Sequence, residues 1–128
     1  MTVAAKKVMP ALIPALILSA CVGAPPRFET PNRATLAALN RINENACNNT
    51  VASALDAYKV PAGSIRDLSY SERLMSENGD SEVVGYTAWM HLTDQPGSLV
   101  VDVDDECRFG QIYTRDGAQF AGVFRSPF

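Results

Sequence analysis

The chain has 128 residues, with 11 basic and 14 acidic side chains, one histidine and three cysteines. That length gives one domain with a modest core. The slight acidic excess excludes the basic surface that nucleic acid or anionic lipid would require, and one histidine with no Cys-x-x-Cys pair leaves little for a metal or redox centre.

The first ten residues carry Lys6 and Lys7 and no acid, and Val8 to Ala20 is a run of 13 uncharged residues. A membrane-spanning helix needs about 20 apolar residues, and Pro10 and Pro14 would break its hydrogen bonding. The stretch therefore reads as a cleaved secretory signal. It closes on Leu18-Ser19-Ala20-Cys21, which resembles the lipobox of bacterial lipoproteins. The resemblance covers residues 1–21 and implies cleavage before Cys21, a diacylglyceryl group on its sulfur and a lipid-anchored chain. In such lipoproteins an aspartate after the cysteine marks retention in the inner membrane. Val22 stands there instead, which implies delivery to the outer membrane, on its periplasmic face. No cofactor is expected beyond the lipid on Cys21.

Losing residues 1–20 would leave 108 residues and move the net charge from −3 to −5. It would also leave Cys47 and Cys107 in an oxidising compartment, where a disulfide between them is expected. Residues 21–30, with Gly23, Pro25 and Pro26, read as a short stiff tether. Residues 31–128 read as a single α+β domain.

Thr30-Pro31 suits a helix start, with threonine as cap and proline in the first turn. From 31 to about 59, Leu36, Leu39, Asn43, Cys47, Val51, Leu55 and Tyr58 recur three or four apart, a helical face. The asparagine-rich stretch 43–49 is weakly helical, so one long helix and a helix pair are both open. Pro61-Ala62-Gly63 ends the helical region.

A two-residue period comes next, giving strands at roughly 65–76, 82–93, 98–103, 107–115 and 118–124. A four-residue turn at Asp94–Gly97 sets Leu92 against Leu99, Met90 against Val101 and Ala88 against Val103. A three-residue loop at Asp104–Glu106 sets Val103 against Cys107 and Val101 against Phe109. An Asp116-Gly117 hairpin sets Tyr113 against Phe120. At Asn78-Gly79 a two-residue turn would put Leu74 and Tyr70 on the wrong face, so an odd loop with Gly79 in a bulge is expected. The expected fold is a helix or helix pair packed on one face of a five-stranded antiparallel meander, stapled by Cys47 and Cys107.

These registers leave a second face carrying Trp89, Asp102, Arg108 and Arg125 in one row. His91, Val100, Gly110 and Val123 form the next row, with Ile112 and Val83 nearby. Trp and Arg are frequent interface anchors, so Trp89, His91, Val100, Asp102 and Arg108 are the candidate partner-binding residues. The acids Asp102, Asp104, Asp105 and Glu106 lack the spacing of a calcium loop and read as a solvated turn. His91 is the only base a serine or cysteine nucleophile could use, and no glycine-rich phosphate loop follows a strand, so no enzyme is expected.

The expected function is a non-enzymatic accessory or binding subunit of an envelope assembly, secretion or surface-structure complex. Its partners would be the membrane, through the lipid, and an envelope protein. The element order, helices then a meander on an outer-membrane lipoprotein, is similar to small lipoprotein subunits of the outer-membrane barrel-assembly machinery, although that family's Gly-Met and Leu-Gly helix motifs are absent. The alternative is a stand-alone periplasmic binding protein or hydrolase inhibitor, presenting a pocket or a protruding loop.

Overall fold

The structure, a computed structural model, describes residues 29–128. The signal at 1–20, Cys21 and most of the tether therefore lie outside the described residues. The chain runs through helices α1 (Arg33–Ile42) and α2 (Asn48–Ala57), then strands β1 (Ile65–Glu77), β2 (Asp80–Leu92), β3 (Ser98–Asp104), β4 (Phe109–Arg115) and β5 (Phe124–Arg125). The fold is α+β. The strands form one sheet in the order β1-β2-β3-β4-β5. It is not the antiparallel meander expected, because β5 runs parallel to β4.

The helical stretch is a pair. Asn32, not Thr30, caps α1, its Oδ1 accepting from the Ala34 N–H at 2.7 Å. Asp56 of α2 also holds this end, accepting from the Asn32 N–H at 2.6 Å and from the Thr35 hydroxyl at 2.7 Å. The break falls on the asparagines because their side chains bond to nearby backbone in place of the helical ladder. Asn43 donates to the Leu68 carbonyl of β1 at 2.9 Å, and Asn45 accepts from the Cys47 N–H at 2.8 Å. Asn48 is fully buried, donating to the Asn40 side chain (2.7 Å) and the Asn43 carbonyl (2.8 Å) while accepting from the Tyr70 hydroxyl (2.6 Å). Burial pushes the Tyr70 phenol above its ordinary range.

This junction gives a testable pair of outcomes. Asn48→Ala leaves the Tyr70 hydroxyl and the Asn43 carbonyl short of partners, so urea unfolding should show a loss of about 2–3 kcal/mol. Because the folded-state phenol is raised, its stability contribution is complete below the unfolded value of 10.0 and declines as pH rises above it. Tyr70→Phe should flatten the fall in unfolding midpoint between neutral and alkaline pH.

Three registers differ from expectation, each for an identifiable reason. Asn78 and Gly79 both have positive φ (54° and 87°) and Glu77 faces Asp80, so the two-residue turn forms after all. The face conflict is real but is resolved lower in the hairpin. Leu74 pairs with Val83 and Arg73 with Gly85, so Val84 is an extra residue in a bulge. Between β2 and β3 the pairs are Met90 with Leu99, Ala88 with Val101 and Tyr86 with Val103, a shift of two residues that keeps the faces. The loop is longer because Gln95 clamps it to the later chain, accepting from the Gln119 N–H at 2.8 Å and donating to the Gln119 carbonyl at 3.1 Å. Gly97 there has φ 85° and no room for a Cβ against the Arg115 and Asp116 carbonyls.

Between β3 and β4, Val103 pairs with Phe109 but Asp102 with Gln111, leaving Gly110 in a bulge. The bulge reverses the alternation of β4, so Ile112 joins the core and Tyr113 turns outward. The Asp116-Gly117 turn forms, with φ 57° and 95°, but no antiparallel strand succeeds it. Ala118 and Val123 bury into the core instead, carrying the chain round to return parallel, with Phe124 beside Tyr113.

The core is one cluster that joins Leu39, Val51, Ala52, Ala54 and Leu55 of the helices to Leu68, Ala88, Met90, Leu99, Val101, Val103 and Ile112 of the sheet. Alanines on α2 let the helix approach closely, and the aliphatic side chains supply the buried apolar area. Cys47, at the N-cap of α2, is disulfide-bonded to Cys107 in the β3–β4 turn, with Cα atoms 5.0 Å apart. Thr50 adds a hydrogen bond to the Cys107 carbonyl at 2.5 Å.

Candidate docking face

The helices' buried side chains share their cluster with one sheet face, so the other face is left to its own side chains among the described residues. Cross-strand pairing lays out a row across the whole sheet: Ser69, Trp89, Val100, Tyr113 and Phe124. A neighbouring row holds Asp67, His91, Ser98 and Arg115, and a third holds Ser71, Thr87, Asp102 and Gln111.

The rows differ in character. Trp89 donates through Nε1 to the Ser71 hydroxyl at 3.0 Å, and the Arg115 guanidinium carbon lies 5.6 Å from its ring centroid. Such a cation–π contact contributes roughly 0.5–1 kcal/mol and fixes the ring. Asp102 is only 7% exposed, accepting from the Thr87 hydroxyl at 2.7 Å and from the Gln111 amide at 2.6 Å. Burial, and then the negative charge of Asp102, pushes the Tyr113 phenol up. His91 Nδ1 lies 2.8 Å from Asp67 Oδ1. Burial raises the Asp67 carboxyl, but hydrogen bonds from the His91 side chain and backbone outweigh this and hold it below the usual range.

Toward β5 the face becomes aromatic. Gln111, Tyr113 and Arg115 of β4 and Phe124, Ser126 and Phe128 of the C-terminal segment line an open groove of 390 Å³. That segment continues alongside β4, the Ser126 N–H donating to the Thr114 carbonyl at 2.8 Å and the Asp116 N–H to the Phe128 carbonyl at 3.2 Å. Phe124 and Phe128 are 69% and 78% exposed.

Of the five residues expected to meet a partner, the structure leaves His91 exposed and Trp89 half-buried on this face. Val100 is fully buried (0% exposed) between Trp89 and Tyr113, and Asp102 is enclosed by its hydrogen bonds, so both support the surface from within. Arg108 is elsewhere, in the β3–β4 turn, donating to Asp104 at 2.6 Å and to Glu106 at 3.2 Å. Asp104 shapes that turn by also accepting from the Glu106 and Arg108 N–H groups (2.9 and 2.8 Å). Ile112 and Val123 belong to the core, not to this face. Arg115, Tyr113, Phe124 and Phe128 are the residues that strand alternation missed. Gly110, an isolated glycine inside a strand pattern, was the available sign of the bulge that brings Tyr113 outward.

A second surface projects from the sheet edge. β1 and β2 stay paired as far as Glu77 and Asp80, whereas β3 reaches only to Gly85. Residues 74–83 therefore extend as a two-stranded ribbon, with Leu74 and Met75 exposed on it. At its base, the Arg73 guanidinium crosses Gly85, where a Cβ would collide with it, and donates to the Val103 carbonyl.

For metal or nucleophilic chemistry, no three or more His, Cys, Asp or Glu side chains converge among the described residues. His91 makes its side-chain contact with Asp67. No helix among the described residues is long and apolar enough to cross a membrane. No family model, curated protein or solved structure matches the chain.

Proposed function

We propose that the chain is a lipid-anchored, non-enzymatic binding subunit that docks an envelope protein on the sheet face opposite its helices. The observation that carries the docking reading is the row Trp89–Tyr113–Phe124 with Arg115 beside it. It gathers the residue types that dominate interface energetics on a face the helices leave open. The anchoring reading rests on Leu18-Ser19-Ala20-Cys21 after an uncharged run. Signal 1–20 and the tether 21–30 that joins the lipid to domain 31–128 accord with it, and Val22 in place of aspartate supports delivery to the outer membrane. A tether of ten residues keeps the face close to the lipid, so partners within the same envelope layer are met at high effective concentration.

Affinity purification from detergent-solubilised membranes tests this reading. A stoichiometric protein partner is expected, and Trp89→Ala should reduce its capture by about tenfold or more while the domain keeps its helix and sheet signals. A clean monomer with no partner would contradict it.

The projecting ribbon favours a second reading, a stand-alone binder or inhibitor that inserts residues 74–83 into a partner's cleft. Its exposed Leu74 and Met75 would then be the contact residues.

A further inference from the structure

The aromatic end of the face has a chemistry that narrows the partner. Its groove is lined by one cationic side chain, Arg115, and by no acidic side chain. Among the described residues Arg115 forms no ion pair, its contact being the Trp89 ring. Asp67, at the far end of Arg115's own row, is taken by His91, and Asp102, across the Tyr113 row, is held by Thr87 and Gln111. Arg115 is half-buried beside aromatic side chains, and with no carboxylate partner its guanidinium presents unused donors in a planar fork. Phe124 and Phe128 supply an apolar wall that is mostly open to water.

Spacing decides between classes of occupant. Tyr113 and Arg115 on one strand, and Phe124, Ser126 and Phe128 on the parallel segment beside it, recur every second residue. That is about 6.6 Å, the interval at which alternate side chains of an extended peptide recur. Two rows of contact points along the strand direction suit a chain lying lengthwise, and an open groove of this volume suits only a few of its residues.

We propose that this groove takes an extended acidic peptide segment of the partner, a carboxylate on Arg115 and apolar side chains against Phe124 and Phe128. The inference rests on the docking reading above and adds the chemistry of what is docked.

Trp89 is the only tryptophan in the chain, and Arg115 stacks on it, so its emission reports on the site. The probe is an acetylated, amidated hexapeptide with Phe, Glu and Phe at alternate positions and serine between. It is titrated into the full chain in detergent, beside versions with Gln or Lys in place of Glu. The Glu peptide should give a saturable change and bind about tenfold or more tighter than the Gln peptide, with the Lys peptide weaker still. Arg115→Gln should bring the Glu and Gln peptides to within about twofold, because the charge preference resides in that one group. Phe124→Ser with Phe128→Ser, both exposed positions, should weaken all the peptides while leaving the circular dichroism spectrum unchanged.

The proposal is overturned if the Glu peptide gives no saturable change up to about 1 mM, the limit of weak specific binding. It is also overturned if Glu and Gln peptides bind alike to the unsubstituted chain, or if zwitterionic phospholipid vesicles shift the emission and the peptides do not. Loss of partner capture in Trp89→Ala without any peptide preference would sink the acidic-peptide inference and leave the docking reading standing. Peptide binding with no co-purifying partner would do the reverse.

Discussion

Replacing Cys21 by serine is expected to move the protein from the membrane fraction to the soluble fraction of cells. Serine lacks the thiol that would carry the diacylglyceryl group. Each buried methylene of an acyl chain contributes about 0.8 kcal/mol, so two or three chains hold a protein stably where one holds it only marginally. The uncharged run before Cys21 spans 13 residues and is too short to substitute as a spanning helix. Carbonate-washed membranes and intact mass together check the outcome. The unsubstituted protein should carry the mass of its lipid, and the serine variant should lack it. A variant that stays with washed membranes would contradict lipid anchoring.

The second large effect is on stability. Cys47 and Cys107 are separated by 60 residues in sequence and tie the start of α2 to the β3–β4 turn. Removing a cross-link over such a loop should cost about 4 kcal/mol on the chain-entropy model, against a total of about 5–15 kcal/mol for a domain of this kind. With a urea dependence of about 1–3 kcal/mol per molar, Cys47→Ser with Cys107→Ser should lower the unfolding midpoint by about 2 M. The same shift should result from reducing the unsubstituted protein. An unchanged midpoint would mean that the Thr50–Cys107 hydrogen bond and core packing already fix this junction.

Much of this architecture is legible from residue order because period and turn chemistry agree locally. The helical stripe and the Asp116-Gly117 turn obey short-range rules, and the Cys47–Cys107 pairing follows from the cysteine count. The odd loop expected at Asn78-Gly79 instead gives way to the two-residue turn those rules allow, with the face conflict absorbed at Val84. The path of the chain beyond the turns was not legible, because it depends on contacts distant in sequence. Gln95 reaches Gln119 and so lengthens the β2–β3 loop, and Ala118 and Val123 draw the last segment into the core and reverse the direction of β5. Strict alternation also fails wherever a bulge adds a residue, at Arg66, at Val84 and at Gly110.

The same physics sets how far the docking face could be read. Trp89 and His91 lie on strand stretches without irregularity toward β3 and are placed on the open face as expected. Arg108 was assigned by alternation through a turn that Asp104 instead organises by local hydrogen bonding. Arg115, Tyr113 and Phe124 come onto the face only through the Gly110 bulge and the parallel return of the chain.

The most direct measurement is site-specific photo-crosslinking in cells, with a photoreactive residue placed in turn at Phe124, at Met75 and at Ile42. All three positions are exposed, on the sheet face, the ribbon and the helical side respectively. Docking through the sheet face predicts that one envelope protein is captured from position 124 and not from 42 or 75. Capture from position 75 alone would contradict it and assign recognition to the ribbon.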